Sequence, residues 1–356
     1  MFENTFLMSF IGFFIILTPL VFIHELGHYF AAIKSGVKVE SFSIGFGPEL
    51  IGFNDKNNTR WKFSLIPLGG YVKMKGELVN VSNASINRED ENNTFLNASL
   101  FSRIFIVISG PIANLILGLI LITSIYVFNG RYITPPIVDE VIVSQPAMVA
   151  GMQSGDKVIS INNLIINDFT EIKKIVEENP LELLSFKVLR NDSLIFLNII
   201  PNNYFDTKSK ENIGRIGIKA SSSILKKLSV LQAIELGFYD SIQMTFEWLR
   251  GLKSLISIDV DKKDILGPIG IAKISGSSLD AGLFSVLFLM AVLSINLGLI
   301  NLLPIPALDG GYLVLFIYEL FFRKPLPSSI QVFLLKFGFI FLISLMLLIT
   351  AFDLGF

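Results

Sequence analysis

The chain has 356 residues and no cysteine; 52% of its residues are hydrophobic and only 17% are charged. Soluble domains carry about 25% charged residues, so this composition predicts a protein that has lipid as part of its solvent. With a net charge of -1, the chain has no overall basic field that would attract nucleic acid. The lack of cysteine excludes disulfides, thiolate metal sites and cysteine nucleophiles.

Four apolar runs approach or exceed the roughly 20 residues that a membrane-spanning helix requires. They are Phe6–Ile23 (with apolar character continuing to Ile33), Ile104–Phe128, Leu283–Leu308 and Ile330–Phe352. The sequence therefore predicts an α-helical polytopic membrane protein with four transmembrane helices. We divide it into residues 1–128, 129–220, 221–282 and 283–356.

Basic residues near the ends of the spans predict the orientation, because they favour the cytoplasmic side. They follow span one, precede span two and lie in the expected short loop between spans three and four: Lys34, Lys38, Arg88, Arg103, Arg323 and Lys324. We expect residues 34–103 and 309–329 to face the cytoplasm. Both termini and the segment 129–282 are then expected on the periplasmic side of a bacterial inner membrane.

The segments between the spans predict further structure. Residues 42–53 and 61–75 flank the turn 54–58 and indicate a β-hairpin. Residues 79–98 are predicted to form a mobile loop. Residues 135–220 indicate a β-rich domain with strands at 137–143, 158–161, 184–189 and 194–199, a helix at 168–179 and a polar turn or loop at 202–212.

Apolar residues recur every three or four positions in residues 229–256, from Leu231 to Leu249, and charged residues lie between them. This pattern predicts an amphipathic helix on the membrane surface or against the spans. A fifth span is the alternative, but it would place several charges in lipid at considerable cost.

His24-Glu25-Leu26-Gly27-His28 fits the H-E-x-x-H pattern, and these are the only two histidines of the chain. Four-residue spacing on a helix places both imidazoles on one face, within reach of one cation. Neutral imidazole is a good ligand for Zn²⁺, and Glu25 is placed to take a proton from water. The alternative is that these polar residues only mark the end of the span.

A catalytic zinc uses three protein ligands and keeps one position open. With no third histidine and no cysteine, Asp309 is the best candidate for the third ligand. It is the only carboxylate between Asp280 and Glu319, and it follows Pro304 and Pro306, which interrupt helical hydrogen bonding. The alternative role for Asp309 is to cap a helix.

The chain resembles the site-2 proteases, a family of intramembrane zinc metalloproteases. The resemblance depends on the two metal motifs, residues 24–28 and 301–310. It is extended by Ser109 to Asn114 in span two and by Leu266 to Ile271 before span three. It implies that His24, His28 and Asp309 bind zinc, that Glu25 is the catalytic base, and that Asn301 lies near the substrate or the developing oxyanion. Asn114 matches another family position, for which a packing role is the alternative.

The resemblance also implies a membrane-associated β-hairpin at residues 45–77, whose free strand edge could hold an extended substrate. Residues 144–159 resemble part of a PDZ domain, which implies a peptide ligand or a filter against bulky substrates. The chain has room for one such domain, and Tyr312 stands where the family pattern leads us to expect histidine. The implied substrates are single-span membrane proteins, such as anti-sigma factors or remnant signal peptides. A non-enzymatic membrane adaptor with a structural metal is the alternative function, and a metal transporter is a weaker one.

Overall fold

The computed structural model of the protein describes residues 2–76, 93–206, 211–256 and 266–355. The chain divides into two compact units, one formed by Met1–Phe128 with Ser229–Phe356 and the other by Asn129–Leu228. Residues 79–92 of the predicted polar loop lie outside the described residues, and residues 93–98 form turns in which Phe95 is buried.

The first unit is built mainly from helices: α1 (Phe2–Lys34), α2 (Leu100–Phe128), α5 (Val230–Ile256), α6 (Pro268–Ala281), α7 (Leu283–Asn301), α8 (Asp309–Phe322) and α9 (Ser328–Asp353). Within the described residues, α1, α2, α7 and α9 are long and apolar enough to cross a membrane, with mean hydropathies between 2.2 and 2.7. Only 6% of the most apolar stretch of α9 is buried within the protein. A helix with so much exposed apolar surface needs lipid around it. The prediction of four spans in a multi-pass membrane protein is confirmed.

Small residues bring the spanning helices close together. A Cβ atom added to Gly27 of α1 would lie 2.9 Å from the Ala113 Cβ atom of α2, and one added to Gly298 of α7 would lie 2.8 Å from the Pro111 carbonyl oxygen. Small residues favour helix association in lipid because they let backbones approach closely. This packing fixes α2 directly beside the histidines of α1.

The predicted hairpin is present as β1 (Val39–Asn54) and β2 (Arg60–Met74). Residues 41–44 of β1 lie between two parts of β2 and pair with residues 60–63 on one side and with residues 70–73 on the other. Residues 51–54 pair with the free side of residues 60–63. The stretch 70–74 is therefore an outer edge of this small sheet. The distal half of the hairpin exposes large apolar side chains: Phe46, Leu50, Ile51, Phe53, Phe63, Leu65 and Ile66.

The turn of the hairpin is fixed to α1 through Asp55. The Asp55 carboxylate accepts hydrogen bonds from the Tyr29 hydroxyl, the Trp61 indole at 3.0 Å and the backbone amides of Asn57 and Thr59, each at 2.9 Å. Tyr29 directly follows His28, so this cluster fixes the hairpin beside the H-E-x-x-H turn. Burial opposes ionisation of Asp55, but these hydrogen bonds outweigh it and lower its pKa.

The second unit is the inserted β-rich domain. Its elements are β3 (Arg131–Ile133), β4 (Val138–Val141), α3 (Pro146–Val149), β5 (Lys157–Ile161), β6 (Leu164–Ile165), α4 (Phe169–Glu178), β7 (Leu184–Arg190), β8 (Ser193–Ile199), β9 (Asn202–Asp206), β10 (Glu211–Arg215), β11 (Ile218–Ala220) and β12 (Ile224–Lys226). Strands β6, β5, β7 and β8 form one sheet in that order. The prediction of a polar turn or loop at 202–212 was wrong in part, because residues 202–206 form β9, which pairs with β10.

Two short helices differ from the expectations. Residues 309–329 were expected to be a short loop, but Asp309–Phe322 form α8, since the apolar residues after Gly311 continue as a helix. Helix α6 lies in the segment predicted only as amphipathic, and three amides at its start donate to the Asp353 carboxylate of α9.

Arg103, expected as a cytoplasmic charge, is buried and paired with Glu319 of α8 at 2.6 and 3.0 Å.

The charged segment 229–256 is the helix α5, as its spacing predicts. It packs against α2, where a Cβ atom added to Gly237 would lie 3.2 Å from the Thr123 Cα atom and the Tyr126 hydroxyl donates to Asp240. Leu231, Ile234 and Phe238 remain exposed. Helix α5 is not among the candidate spans within the described residues.

Candidate metal centre

The two histidines of the H-E-x-x-H motif lie one turn apart on α1 and are both buried, each with 7% of its surface exposed. Their rings meet edge to face with centroids 4.8 Å apart, and their Nε2 atoms lie 3.2 Å apart. The Nδ1 atom of His28 lies 2.9 Å from the Ile106 carbonyl oxygen of α2. Because a carbonyl only accepts, Nδ1 carries the proton, and the Nε2 lone pair of neutral His28 is directed toward His24 and Asp309.

Asp309 reaches this pair from the start of α8. Helix α7 ends at Asn301, and the segment 302–308 turns the chain so tightly that a Cβ atom on Gly310 would lie 2.5 Å from the Leu302 carbonyl carbon. The N-cap residue of α8 is Leu308, which makes no side-chain cap hydrogen bond. The Asp309 Oδ2 atom instead lies 3.1 Å from His24 Nε2 and 3.4 Å from His28 Nε2.

The three donor atoms suit a zinc ion. Ligand atoms about 2.0–2.1 Å from a tetrahedral zinc lie about 3.3 Å from one another, and the three observed separations are 3.1, 3.2 and 3.4 Å. The Asp309 Oδ2 atom is buried without a hydrogen-bond partner. This is the one set of three or more candidate ligands within the described residues. A closed structural site would need a fourth protein ligand.

Glu25 lies between the histidines in sequence and lines the same cavity as they do. The backbone amide of Val72, on the edge stretch of β2, faces its carboxylate. A Cβ atom added to Gly70 would lie 3.2 Å from the Glu25 Cγ atom. The Glu25 side chain therefore lies directly against the backbone of the hairpin edge.

The two asparagines proposed from the sequence approach His24 at different ring nitrogens. The Asn301 Nδ2 atom lies 3.4 Å from His24 Nε2, and Asn301 lines the cavity. The Asn114 Nδ2 atom lies 3.4 Å from His24 Nδ1. Asn114 has no exposed surface and is not among the residues that line the cavity.

Gly110 is a site residue whose role the sequence did not reveal. A Cβ atom at this position would lie 2.5 Å from the Cε1 atom and 2.8 Å from the Cδ2 atom of the His28 ring. A glycine inside a helix costs roughly 0.5–1 kcal/mol relative to alanine, which makes an internal glycine informative. Gly110 lies in the stretch from Ser109 to Asn114, which contributed to the family resemblance. The contact between Gly110 and the His28 imidazole could not be predicted from the sequence.

A cavity of about 330 Å³ contains the three candidate metal ligands. Its walls come from α1, the hairpin edge, the residue Phe95, α2, α7 and the start of α8: Val21, His24, Glu25, His28, Gly69, Gly70, Tyr71, Val72, Met74, Phe95, Val107, Leu297, Asn301, Ala307, Leu308, Asp309 and Tyr312. The cavity brings together a candidate cation-binding site, the Glu25 carboxylate and the edge of the hairpin sheet. This combination can bind a peptide segment and hydrolyse it.

Among solved structures, two PDZ domains align with part of the chain. The PDZ domain of the SdrC-like protein from Listeria monocytogenes covers 24% of this chain and 84% of its own length, at 19% identity and a TM-score of 0.21. The corresponding domain from Listeria innocua covers 26% of this chain and 99% of its own length, at 18% identity and a TM-score of 0.22.

Three similar relatives have names that contain the words zinc metalloprotease. The protein from Rickettsia conorii is 37% identical over 98% of both chains. The protein from Rhizobium meliloti is 33% identical over 96% of this chain and 93% of its own, and the one from Campylobacter jejuni is 34% identical over 98% and 94%. The model of peptidase family M50 matches residues 12–345. The chain thus belongs to peptidase family M50, the site-2 proteases, and is a membrane-embedded zinc metalloprotease.

Proposed function

We propose that this protein cleaves the transmembrane segments of single-span membrane proteins inside the bilayer, with His24, His28 and Asp309 as zinc ligands. The observation that carries the proposal is the convergence of these three donor atoms, two from the spanning helix α1 and one from the start of α8. His28 lies six residues before Lys34, the end of α1, which corresponds to about 9 Å along the helix axis. The reaction therefore takes place within the depth of the apolar span.

The chain's own residues divide the chemistry between them. When bound, zinc supplies a Lewis acid that makes water a nucleophile near neutral pH and polarises the peptide carbonyl. Glu25 takes the proton of the attacking water and returns it to the leaving amine, as a general base and then a general acid. Asn301 lines the cavity beside His24, and its amide donates to the negative charge that develops on the carbonyl oxygen.

The edge of the hairpin holds the substrate. A peptide bond within a helix is shielded by the helical hydrogen bonds, so a transmembrane substrate must become extended before attack. The stretch 70–74 is an outer edge of the hairpin sheet and lies beside Glu25. An edge strand can bind an extended peptide through main-chain hydrogen bonds. The exposed apolar half of the hairpin keeps this edge in the membrane.

The substrates that fit this site are single-span proteins that another protease has already shortened, such as anti-sigma factors, or remnant signal peptides. The protein lies in a bacterial inner membrane with both termini and the inserted domain on the periplasmic side. This orientation places Arg323 and Lys324, which follow α8, on the cytoplasmic side, as basic residues favour. The inserted domain binds a peptide or excludes substrates with bulky periplasmic parts.

A cleavage assay tests the proposal. Purified protein in detergent is mixed with a tagged single-span substrate, with and without a chelator, and the product termini are determined by mass spectrometry. We expect a cut within the apolar segment, lost on chelation and restored by zinc. Cuts confined to the soluble flanks, or cleavage that persists after the metal is removed, would overturn it.

The orientation can be tested separately, because the chain has no cysteine of its own. Ser193→Cys in the inserted domain and Ser328→Cys at the start of α9 are both at exposed positions. A membrane-impermeant maleimide added to the periplasmic side should label the first and not the second. Labelling in the opposite pattern would reverse the proposed topology.

A further inference from the structure

Helix α2 presents a row of groups to the two imidazoles, each one turn from the next. Ile106 offers its carbonyl oxygen to His28 Nδ1, Gly110 lets the His28 ring lie flat against the helix, and Asn114 approaches His24 Nδ1. Residues four apart share one face of a helix. Both imidazoles are therefore in contact with the same helix, at Nδ1 through Ile106 and Asn114 and at the face of the His28 ring through Gly110.

The hydrogen bond between Asn114 and His24 conflicts with metal binding as the amide is oriented. In that orientation the Asn114 Nδ2 atom faces His24 Nδ1 at 3.4 Å, and the buried Oδ1 atom has no partner. An amide N–H directed at Nδ1 requires a lone pair there, so neutral His24 would carry its proton on Nε2. Yet Nε2 is the atom that lies 3.1 Å from Asp309 and 3.2 Å from His28 Nε2.

Rotating the amide by half a turn removes this conflict, because the oxygen and nitrogen of the side chain exchange places within nearly the same volume. Oδ1 then accepts from His24 Nδ1–H, and the Nε2 lone pair is free for zinc. Metal-binding histidines almost always donate their other ring N–H to an oxygen acceptor, which fixes the tautomer and the ring orientation. His28 already has such an acceptor in Ile106.

We propose that Asn114 is a positioning residue for the metal centre, whose side-chain oxygen accepts from His24 Nδ1–H and sets the tautomer that binds zinc. Its backbone is fixed for this task. The Ser294 hydroxyl of α7 donates to the Asn114 carbonyl oxygen at 2.7 Å, and both residues are fully buried. Asn114 therefore acts on His24 and does not touch the substrate. The inference rests on the proposed zinc ligands.

The experiment measures zinc affinity of the full-length protein in detergent by competition with a chelator. Asn114→Leu keeps the size of the side chain and removes its polar atoms, whereas Asn114→Asp keeps an acceptor and removes the donor. We expect zinc binding to weaken about 10- to 100-fold in Asn114→Leu, as for other outer partners of metal ligands. Asn114→Asp should bind zinc at least as tightly as the wild type.

Equal weakening in Asn114→Asp and Asn114→Leu would overturn the inference, since it would show that the amide acts as a donor or by shape. Ser294→Ala is the matched control, because it removes a hydrogen bond from the same helix contact without touching His24. A loss in Ser294→Ala as large as in Asn114→Leu would also overturn it, by assigning the effect to packing. If Asn114→Leu does not fold, the comparison of Asn114→Asp with Ser294→Ala and the wild type decides.

A second readout separates this inference from the proposed function. Cobalt can replace zinc at such ligands, and its visible absorption reports the ligand geometry directly. The spectrum should change in Asn114→Leu and be retained in Asn114→Asp. If His24→Ala keeps full zinc affinity, the proposed ligand set fails. If His24→Ala loses zinc while Asn114→Leu binds it as tightly as the wild type, only the role of Asn114 fails.

Discussion

Replacing Gly110 with alanine should displace the His28 ring and weaken zinc binding without removing any polar group. The new Cβ atom would lie 2.5 Å from His28 Cε1, whereas ordinary contacts begin near 3.4 Å. The ring must therefore move by about 1 Å, and metal sites tolerate deviations of only about 0.2 Å in ligand distance. We expect zinc affinity to fall at least about 100-fold, which corresponds to about 2.7 kcal/mol.

Chelator competition on the purified protein measures this loss, and thermal unfolding reports stability in parallel. The matched control is Gly118→Ala, two turns further along α2, where the added Cβ atom would meet the Ile295 Cγ1 atom at 2.6 Å. This contact involves none of the candidate metal ligands, so we expect destabilisation of about 1–3 kcal/mol from overpacking and normal zinc binding. Wild-type zinc affinity in Gly110→Ala would refute the placement of His28 against α2.

Three further predictions concern the surrounding structure. Asp353→Ala removes the acceptor for three amides at the start of α6 and should lower the free energy of unfolding by about 2 kcal/mol. Asp353→Asn should lose less stability than Asp353→Ala. An unchanged melting temperature in Asp353→Ala would contradict this role. Because the pKa of Asp55 is lowered on folding, its contribution is present above its unfolded pKa of about 3.9 and is lost as the pH falls through the folded value. Acid titration of Trp fluorescence in a Trp248→Phe background should show this loss, and Asp55→Asn should lack it. Arg190→Met leaves the fully buried Asp156 carboxylate without its cation and should destabilise the inserted domain by about 3 kcal/mol. Adding Asp156→Asn to Arg190→Met should restore part of the lost stability. If the stability losses of the two substitutions simply add, the pairing is contradicted.

The elements that the sequence predicted well are those with a strong local signal. The four spans and the hairpin follow from long apolar runs and from a turn between strand-like segments. Helices α6 and α8 were missed because each has only 14 residues and lies beside glycine, proline or charged residues. Their helical state depends on packing, such as the Asp353 carboxylate that holds the start of α6.

The candidate site was predicted in part for a similar reason. The histidine spacing and the isolated carboxylate at Asp309 could be recognised in the sequence, and the structure brings their donor atoms within 3.4 Å of one another. Their role as zinc ligands stays a prediction. The Ile106 carbonyl, the flat contact at Gly110 and the approach of Asn114 to His24 depend on how α2 crosses α1, which no local pattern encodes.

The proton transfer assigned to Glu25 can be tested most directly with Glu25→Gln protein loaded with zinc. The substitution removes the base and retains all three proposed ligands. Cleavage of the tagged single-span substrate should fall about 100- to 10,000-fold, the usual contribution of general acid–base catalysis, while the protein still holds one zinc per chain. Cleavage at the wild-type rate by this zinc-loaded variant would contradict the account.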